Sequence, residues 1–305
     1  MGGITLTKKF MSTSIKILLL ILILLTIVFY SSGCIILVNS GYKLSDYTDE
    51  INLNDFNFYY SDELGFNYKT SEKNYPVDNN IKNIEISLES QNINVNQYDG
   101  DNILVEIKNN RSSNAEFSKT ENGDKMVFNS NYSIPSHSTV NISIPQKIIK
   151  DLSLKLTTSS GDINLSNLNI NSISTFTSSG EIYMSNVNLD YISLNSTSGD
   201  IKLNNTFASD TKINSTSGDI DCIGNFGDLY SSSTSGDMNF SFTDSLKKSS
   251  FGSVSGAISL NIPTQCGYKI NYYTVSGDTS FSTLSNGNEE ASIDIKTTSG
   301  DISVN

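Results

Sequence analysis

The sequence predicts an all-β fold, a single-chain parallel β-helix (β-solenoid) of ~19-residue coils wound right-handed, preceded by one N-terminal transmembrane helix. Three observations predict it. Eight Ser-Gly pairs end at Gly161, Gly180, Gly199, Gly218, Gly236, Gly256, Gly277 and Gly300, spaced 19, 19, 19, 18, 20, 21 and 23 residues apart. Apolar residues recur two positions apart at fixed offsets from those glycines. An uncharged, mostly aliphatic run, 17–38, lies near the amino terminus. A short fixed period marks units that cannot bury an apolar face alone and must stack to do so.

Taking the chain in order, residues 1–16 form a short tail expected in the cytoplasm, and 17–38 the membrane helix. Its 22 residues reach ~33 Å as a helix, enough to cross a ~30 Å hydrocarbon core. Lys8, Lys9 and Lys16 precede it, and Lys43 is the one basic residue in the twenty that follow. The positive-inside rule therefore sends everything downstream out of the cytoplasm. Two alternatives stay open. Residues 17–29 have the length of a signal-peptide core, which would be cleaved. Ser31-Ser32-Gly33-Cys34 resembles a lipoprotein box with Cys34 as the lipid-carrying residue, although Ile35, Ile36, Leu37 and Val38 continue the apolar run. All three readings leave the remainder outside.

Residues 39–80 are rich in Asn, Asp, Tyr and Ser without a sustained period, and are expected to be a polar tether. The solenoid is expected over 81–305. In its entry portion, 81–150, the triplets Ile84/Ile86/Leu88, Ile103/Val105/Ile107 and Val140/Ile142/Ile144 alternate with polar residues, as half-buried strands do. Leu104 breaks one alternation, Asn122-Gly123 marks a hairpin turn, and Pro145 closes the last strand.

Over 151–305 each repeat glycine serves as position zero. Position −1 is Ser in all eight repeats, and position +1 is acidic in seven, Ala257 being the exception. Positions +2 and +4 (Ile163/Leu165, Ile182/Met184, Ile201/Leu203, Ile220/Cys222 and onward) are apolar except at Thr279. Leu154/Leu156, Ile192/Leu194 and Ile293/Ile295 mark a strand at −7 and −5, and Leu168/Ile170 and Val187/Leu189 a third stretch. Glycine is expected to take a positive φ at the corner, the acidic residue to accept backbone N–H groups beside it, and Ser and Thr to bond along the stack. Nothing helical appears within a coil, blades of about forty residues are too long, and no six-residue subperiod exists.

These motifs resemble those of a known family. Residues 158–163 (Thr-Ser-Ser-Gly-Asp-Ile) and their copies, Ile144-Pro145 leading into Leu154-Lys155-Leu156, and Ile262-Pro263 followed by 267–270 and 274–278 are similar to the bacterial DUF4097 adhesin-like proteins, over about 81–305. The resemblance implies an envelope-exposed β-helix, often behind one membrane helix, and for some members a link to envelope stress. It supplies no catalytic residues.

Charge narrows the function. The chain carries 32 acidic and 20 basic residues, net −12, with one His (His137). Its one Arg is Arg111. No basic stripe exists to displace counterions from phosphates, which excludes nucleic acid. Three cysteines make no disulfide framework, and Cys222 with Cys266 lie about two coils apart, beyond disulfide reach. No catalytic residue, cofactor or metal set is expected: the Ser runs lack a base. A glycan-processing β-helix would need basic residues beside an acidic cluster, and Arg is missing from the repeats. One series could bind: Asp162, Glu181, Asp200, Asp219, Asp237, Asp278 and Asp301, an acidic edge suited to cations or cationic peptides. The expectation is a non-catalytic, membrane-anchored surface protein for adhesion or binding a cell-envelope component, single-pass with its repeats outside. The alternative is an envelope-stress sensor or decoy for cationic antimicrobial peptides. The sequence leaves oligomeric state open.

Overall fold

The computed structural model describes residues 69–109, 117–130, 138–244, 246–263, 267–282 and 291–305. The expected tail 1–16, the segment 17–38 with Cys34, and the tether up to residue 68 lie outside these, as do Arg111, His137 and Cys266. No helix of the described residues is long and apolar enough to cross a membrane.

The described residues are all-β apart from one four-residue helix. The entry portion holds β1 (Lys69–Pro76), β2 (Asn83–Ser87), β3 (Asn92–Tyr98), β4 (Asn102–Asn109), β5 (Phe117–Asn122), β6 (Lys125–Ser130), β7 (Thr139–Pro145), α1 (Gln146–Ile149) and β8 (Ser153–Thr157). Three long strands follow, β9 (Ile163–Thr177), β10 (Ile182–Ser196) and β11 (Ile201–Asn214). The rest are shorter: β12 (Ile220–Asn225), β13 (Asp228–Ser233), β14 (Met238–Phe242), β15 (Lys248–Ser253), β16 (Ile258–Asn261), β17 (Tyr268–Tyr273), β18 (Thr279–Phe281), β19 (Ala291–Lys296) and β20 (Ile302–Val304).

Parallel pairing stacks the coils residue on residue. Ile163, Ile182, Ile201, Ile220, Met238 and Ile258 are successive partners, as are Leu165, Met184, Leu203, Cys222, Phe240 and Leu260. All twelve are buried, and each such side chain taken out of water contributes about 1.5–3 kcal/mol. Within β9 the alternation slips near Asn167 and again near Ser172, so each coil bends twice before its glycine corner and has three sides. Asn167, Asn186 and Asn205 make the first bend at φ 52°, 55° and 51°. Asparagine tolerates this left-handed region better than other side chains. Asn186 Nδ2 donates to Asn167 Oδ1 at 3.2 Å, and Asn205 Nδ2 to Asn186 Oδ1 at 2.7 Å, so the strained positions bond one another up the stack.

The stack is not in chain order at either end. On the amino-terminal side β2 pairs with β8 and β6, and β3 with β9 and β7, so the first coil lies inside the coil formed by β6 and β7. Antiparallel β4 then covers β7, antiparallel β1 covers β4, and β5 covers β6 through a turn with Gly123 at φ 63°. The last residues of the stretch expected to be tether are thus an edge strand, with Tyr75 and Val77 buried. On the carboxyl-terminal side β19 pairs with β15 and β17, and β20 with β16 and β18. The final coil of the chain is inserted beneath the penultimate one.

Candidate functional site

At every repeat glycine the chain turns against the corner of the coil below. The expected positive φ is corrected here: the positive-φ glycines among the described residues are Gly123, Gly224 and Gly227, none of them a repeat glycine. What demands glycine is close approach. A Cβ on Gly180 would lie 1.9 Å from the carbonyl oxygen of Gly161, one on Gly199 1.9 Å from that of Gly180, and one on Gly256 2.0 Å from that of Gly236. Three residues before six of the eight repeat glycines, a Ser or Thr hydroxyl accepts the glycine N–H, as Thr177 does for Gly180 at 3.0 Å and Ser253 for Gly256 at 2.8 Å. These six hydroxyls close their own corner, and some also bond along the stack as expected: Thr158 donates to the Glu89 carbonyl and Thr274 to that of Gly300, each at 3.4 Å. The buried Ser196 hydroxyl before Gly199 has no hydrogen-bond partner among the described residues. Ser215 instead donates to the Gly218 carbonyl at 2.8 Å.

The acidic series occupies the outer rim of this corner. Asp162 Oδ1 accepts the Glu181 N–H at 2.9 Å, Asp200 Oδ1 that of Asp219 at 3.0 Å, Asp219 Oδ1 that of Asp237 at 2.8 Å, and Asp237 Oδ1 that of Ala257 at 2.8 Å. Each of these four carboxylates therefore ties its coil to the next. Asn92 holds the same place below Asp162 and accepts its N–H at 2.9 Å, so an amide oxygen does this job without charge. Asp301 and Asp278 join in exchanged order, Asp301 Oδ1 accepting the Asp278 N–H at 2.8 Å. The structure so brings Asp162, Glu181, Asp200, Asp219 and Asp237 onto one rim, with Asp301 and Asp278 beyond Ala257. Glu181 and Asp200 share Lys202, whose Nζ lies 2.5 Å from Glu181 Oε2 and 3.5 Å from Asp200 Oδ2. The hydrogen bond to Glu181 leads in raising the Lys202 pKa above its ordinary value. Asp219, Asp237, Asp278 and Asp301 are exposed.

Two surface features escaped the sequence reading. Outside the first strand of the coil, Asn164 Nδ2 donates to Asn94 Oδ1 (3.0 Å), Asn94 to Asn141 (2.8 Å) and Asn141 to Glu106 (2.7 Å), an amide ladder crossing four strands. On the third side, a groove of about 400 Å³ is lined by Asn188, Asp190, Phe207, Asn225, Asp244 and Lys247. It sits where β11 and β12 lose register between Asn204 and Thr206, and its trace in the sequence is the single 18-residue spacing. Among the described residues no group of three or more His, Cys, Asp or Glu side chains is placed to hold a metal. Cys222 is buried, and burial pushes its thiol pKa well up.

A family model described as Toastrack DUF4097 matches residues 81–305. The chain belongs to that family. The Toastrack match begins at Ile81 and runs through the last repeat, so it covers the solenoid but not β1. No curated protein matches the chain. Among solved structures, a candidate cell adhesion protein from Clostridium sporogenes is similar at 12% identity and a TM-score of 0.31, covering 78% of this chain and 98% of that one.

Proposed function

We propose that this Toastrack protein is a non-catalytic surface module, held by residues 17–38 in the cytoplasmic membrane and displaying its solenoid outside for adhesion or envelope binding. One observation carries the reading: five of the seven corner carboxylates, the feature of the repeats with most chemical potential, are engaged as coil-to-coil ties. What remains is a stiff scaffold presenting amide, hydroxyl and aromatic side chains at fixed spacing. The expected right-handed winding belongs to this proposal, on the rule that parallel crossover connections are right-handed. Protease added to intact spheroplasts should cleave beyond residue 39 and spare 1–16; protected repeats would overturn the outside placement.

The registered acidic rim favours a second reading, a decoy for cationic peptides. Asn92 shows how to test it, since Asp→Asn keeps the tie and removes the charge. Asp219→Asn with Asp237→Asn should leave the melting midpoint nearly unchanged. If the rim binds, the pair should weaken cationic-peptide binding severalfold, and wild-type affinity should fall as salt shortens the screening length toward ~8 Å. Affinity indifferent to both removes the decoy reading.

A further inference from the structure

We propose that the carboxyl-terminal end of the solenoid is a self-association surface on which a second copy of this chain pairs antiparallel, β17 against β17. This rests on the display reading above and names its partner.

The two ends of the stack differ. At the amino-terminal end the edge strands are β1, which carries Lys69, Glu72, Lys73 and Pro76, and β5, which carries Lys119 and Glu121. Charge and proline on an edge are the devices that block strand addition. The core beneath is closed there: Tyr75 and Phe117 are 5% exposed and pack edge-on against Phe128. At the carboxyl-terminal end β17 and β18 are outermost, and among the described residues no strand pairs with their outer edges. Their inward positions are those filled elsewhere by fully buried Ile and Leu. Tyr272 sits above Ile295, yet it is 53% exposed where Ile295 is 0%. Thr279 sits above Ile302 and is exposed, and Phe281 sits above Val304 half-buried against Tyr272, with ring centroids 4.6 Å apart. Tyr273 and Val275 beside them are 62% and 63% exposed. Lys269 is the one charge on either strand.

The sequence of β17 is complementary to itself. Antiparallel pairing centred on Asn271 puts inward Ile270 opposite inward Tyr272 of the second copy, and outward Lys269 opposite outward Tyr273. These are an aliphatic–aromatic cross-strand pair and a cation–π pair, each made twice by the two-fold axis. The guarded amino-terminal end cannot supply the other half, so head-to-tail fibres are blocked and a closed tip-to-tip pair remains. Strands of six residues are ~20 Å long, so a coil end falls short of the ~800 Å² per partner of a standard interface. One contact is weak; many made together between two membranes hold through effective concentration. The tip is also the end farthest from where the chain enters the stack.

The test uses the full chain with Cys34 and Cys266 replaced by Ser. Asn271→Cys should form a disulfide-linked dimer under mild oxidation, roughly tenfold more than Thr70→Cys at the opposite edge, and adding Tyr272→Lys should remove that excess at an unchanged melting midpoint. Equal cross-linking at the two ends, or an excess that survives Tyr272→Lys, overturns the pairing. So does an Asn271→Cys tip that cross-links in intact envelopes to a different protein. The full chain reconstituted in phospholipid vesicles should then cluster them, and Tyr272→Lys should abolish clustering. Cross-linking without clustering would uphold the pairing and sink the adhesion reading on which it rests, so the two failures are distinguishable.

Discussion

Alanine differs from glycine by one methyl group, and at Gly199 there is no room for it. The Cβ would stand 1.9 Å from a backbone carbonyl oxygen of the coil below, which cannot rotate away as a side chain could. Gly199→Ala should therefore force neighbouring coils apart and cost about 3 kcal/mol or more, the upper range for overpacking. Gly252, on an outward position of β15, meets nothing within 4 Å and has no positive φ. Gly252→Ala should be neutral or stabilise by about 0.4–1 kcal/mol through the unfolded chain. Urea midpoints of the two variants check this, and similar midpoints would mean the corners are not in contact. The sequence marked these residues but not their reason. Ser-Gly recurring eight times says that a glycine is required; positive φ and close approach require the same residue. The Asn bends at 167, 186 and 205 went unnoticed because asparagine is common throughout the chain.

Strands report their neighbours through burial, and here the last strands of the chain are better covered than those before them. Ile293, Ile295, Ile302 and Val304 are at most 1% exposed, while Tyr272 and Tyr273 exceed half. Hydrogen exchange should show β19 and β20 protected longer than β17 and β18, the reverse of fraying from the chain terminus. Faster exchange in β19 and β20 would return the stack to chain order. Strand existence and inward faces were legible for β2, β4, β7 and the repeats, because period-two alternation is read locally. The exchanged order was not, since every coil offers the same apolar offsets and the same corner. The one trace is length: spacings of 21 and 23 residues at the carboxyl-terminal end give the chain slack to step over a coil and return.

Across the whole molecule, stability in such a stack is a sum of coils and their nearest-neighbour contacts, so a coil is a removable unit if its neighbours still match. The central coils meet this condition. β10 pairs residue for residue with β9 below and β11 above, without a shift. Deleting the 19 residues 181–199 would join Gly180 to Asp200 and place Asn205 on Asn167, Ile201 on Ile163 and Leu203 on Leu165. The corner hydroxyl of Thr177, the carboxylate of Asp162 and the glycine approach would all find equivalent partners. The shortened chain should fold, keep its β-sheet circular dichroism and melt cooperatively at a lower temperature. Deleting 182–199 instead leaves one extra residue at the corner. Strand side chains alternate with period two, so in the strand that follows the repair must either bulge or turn Ile201 and Leu203 outward. That variant should lose several kcal/mol relative to the 19-residue deletion, although it retains one more native residue. If both deletions melt alike, the coils are not in the register described, and the ladders of Asn, Asp and Gly that depend on it would have to be abandoned with it.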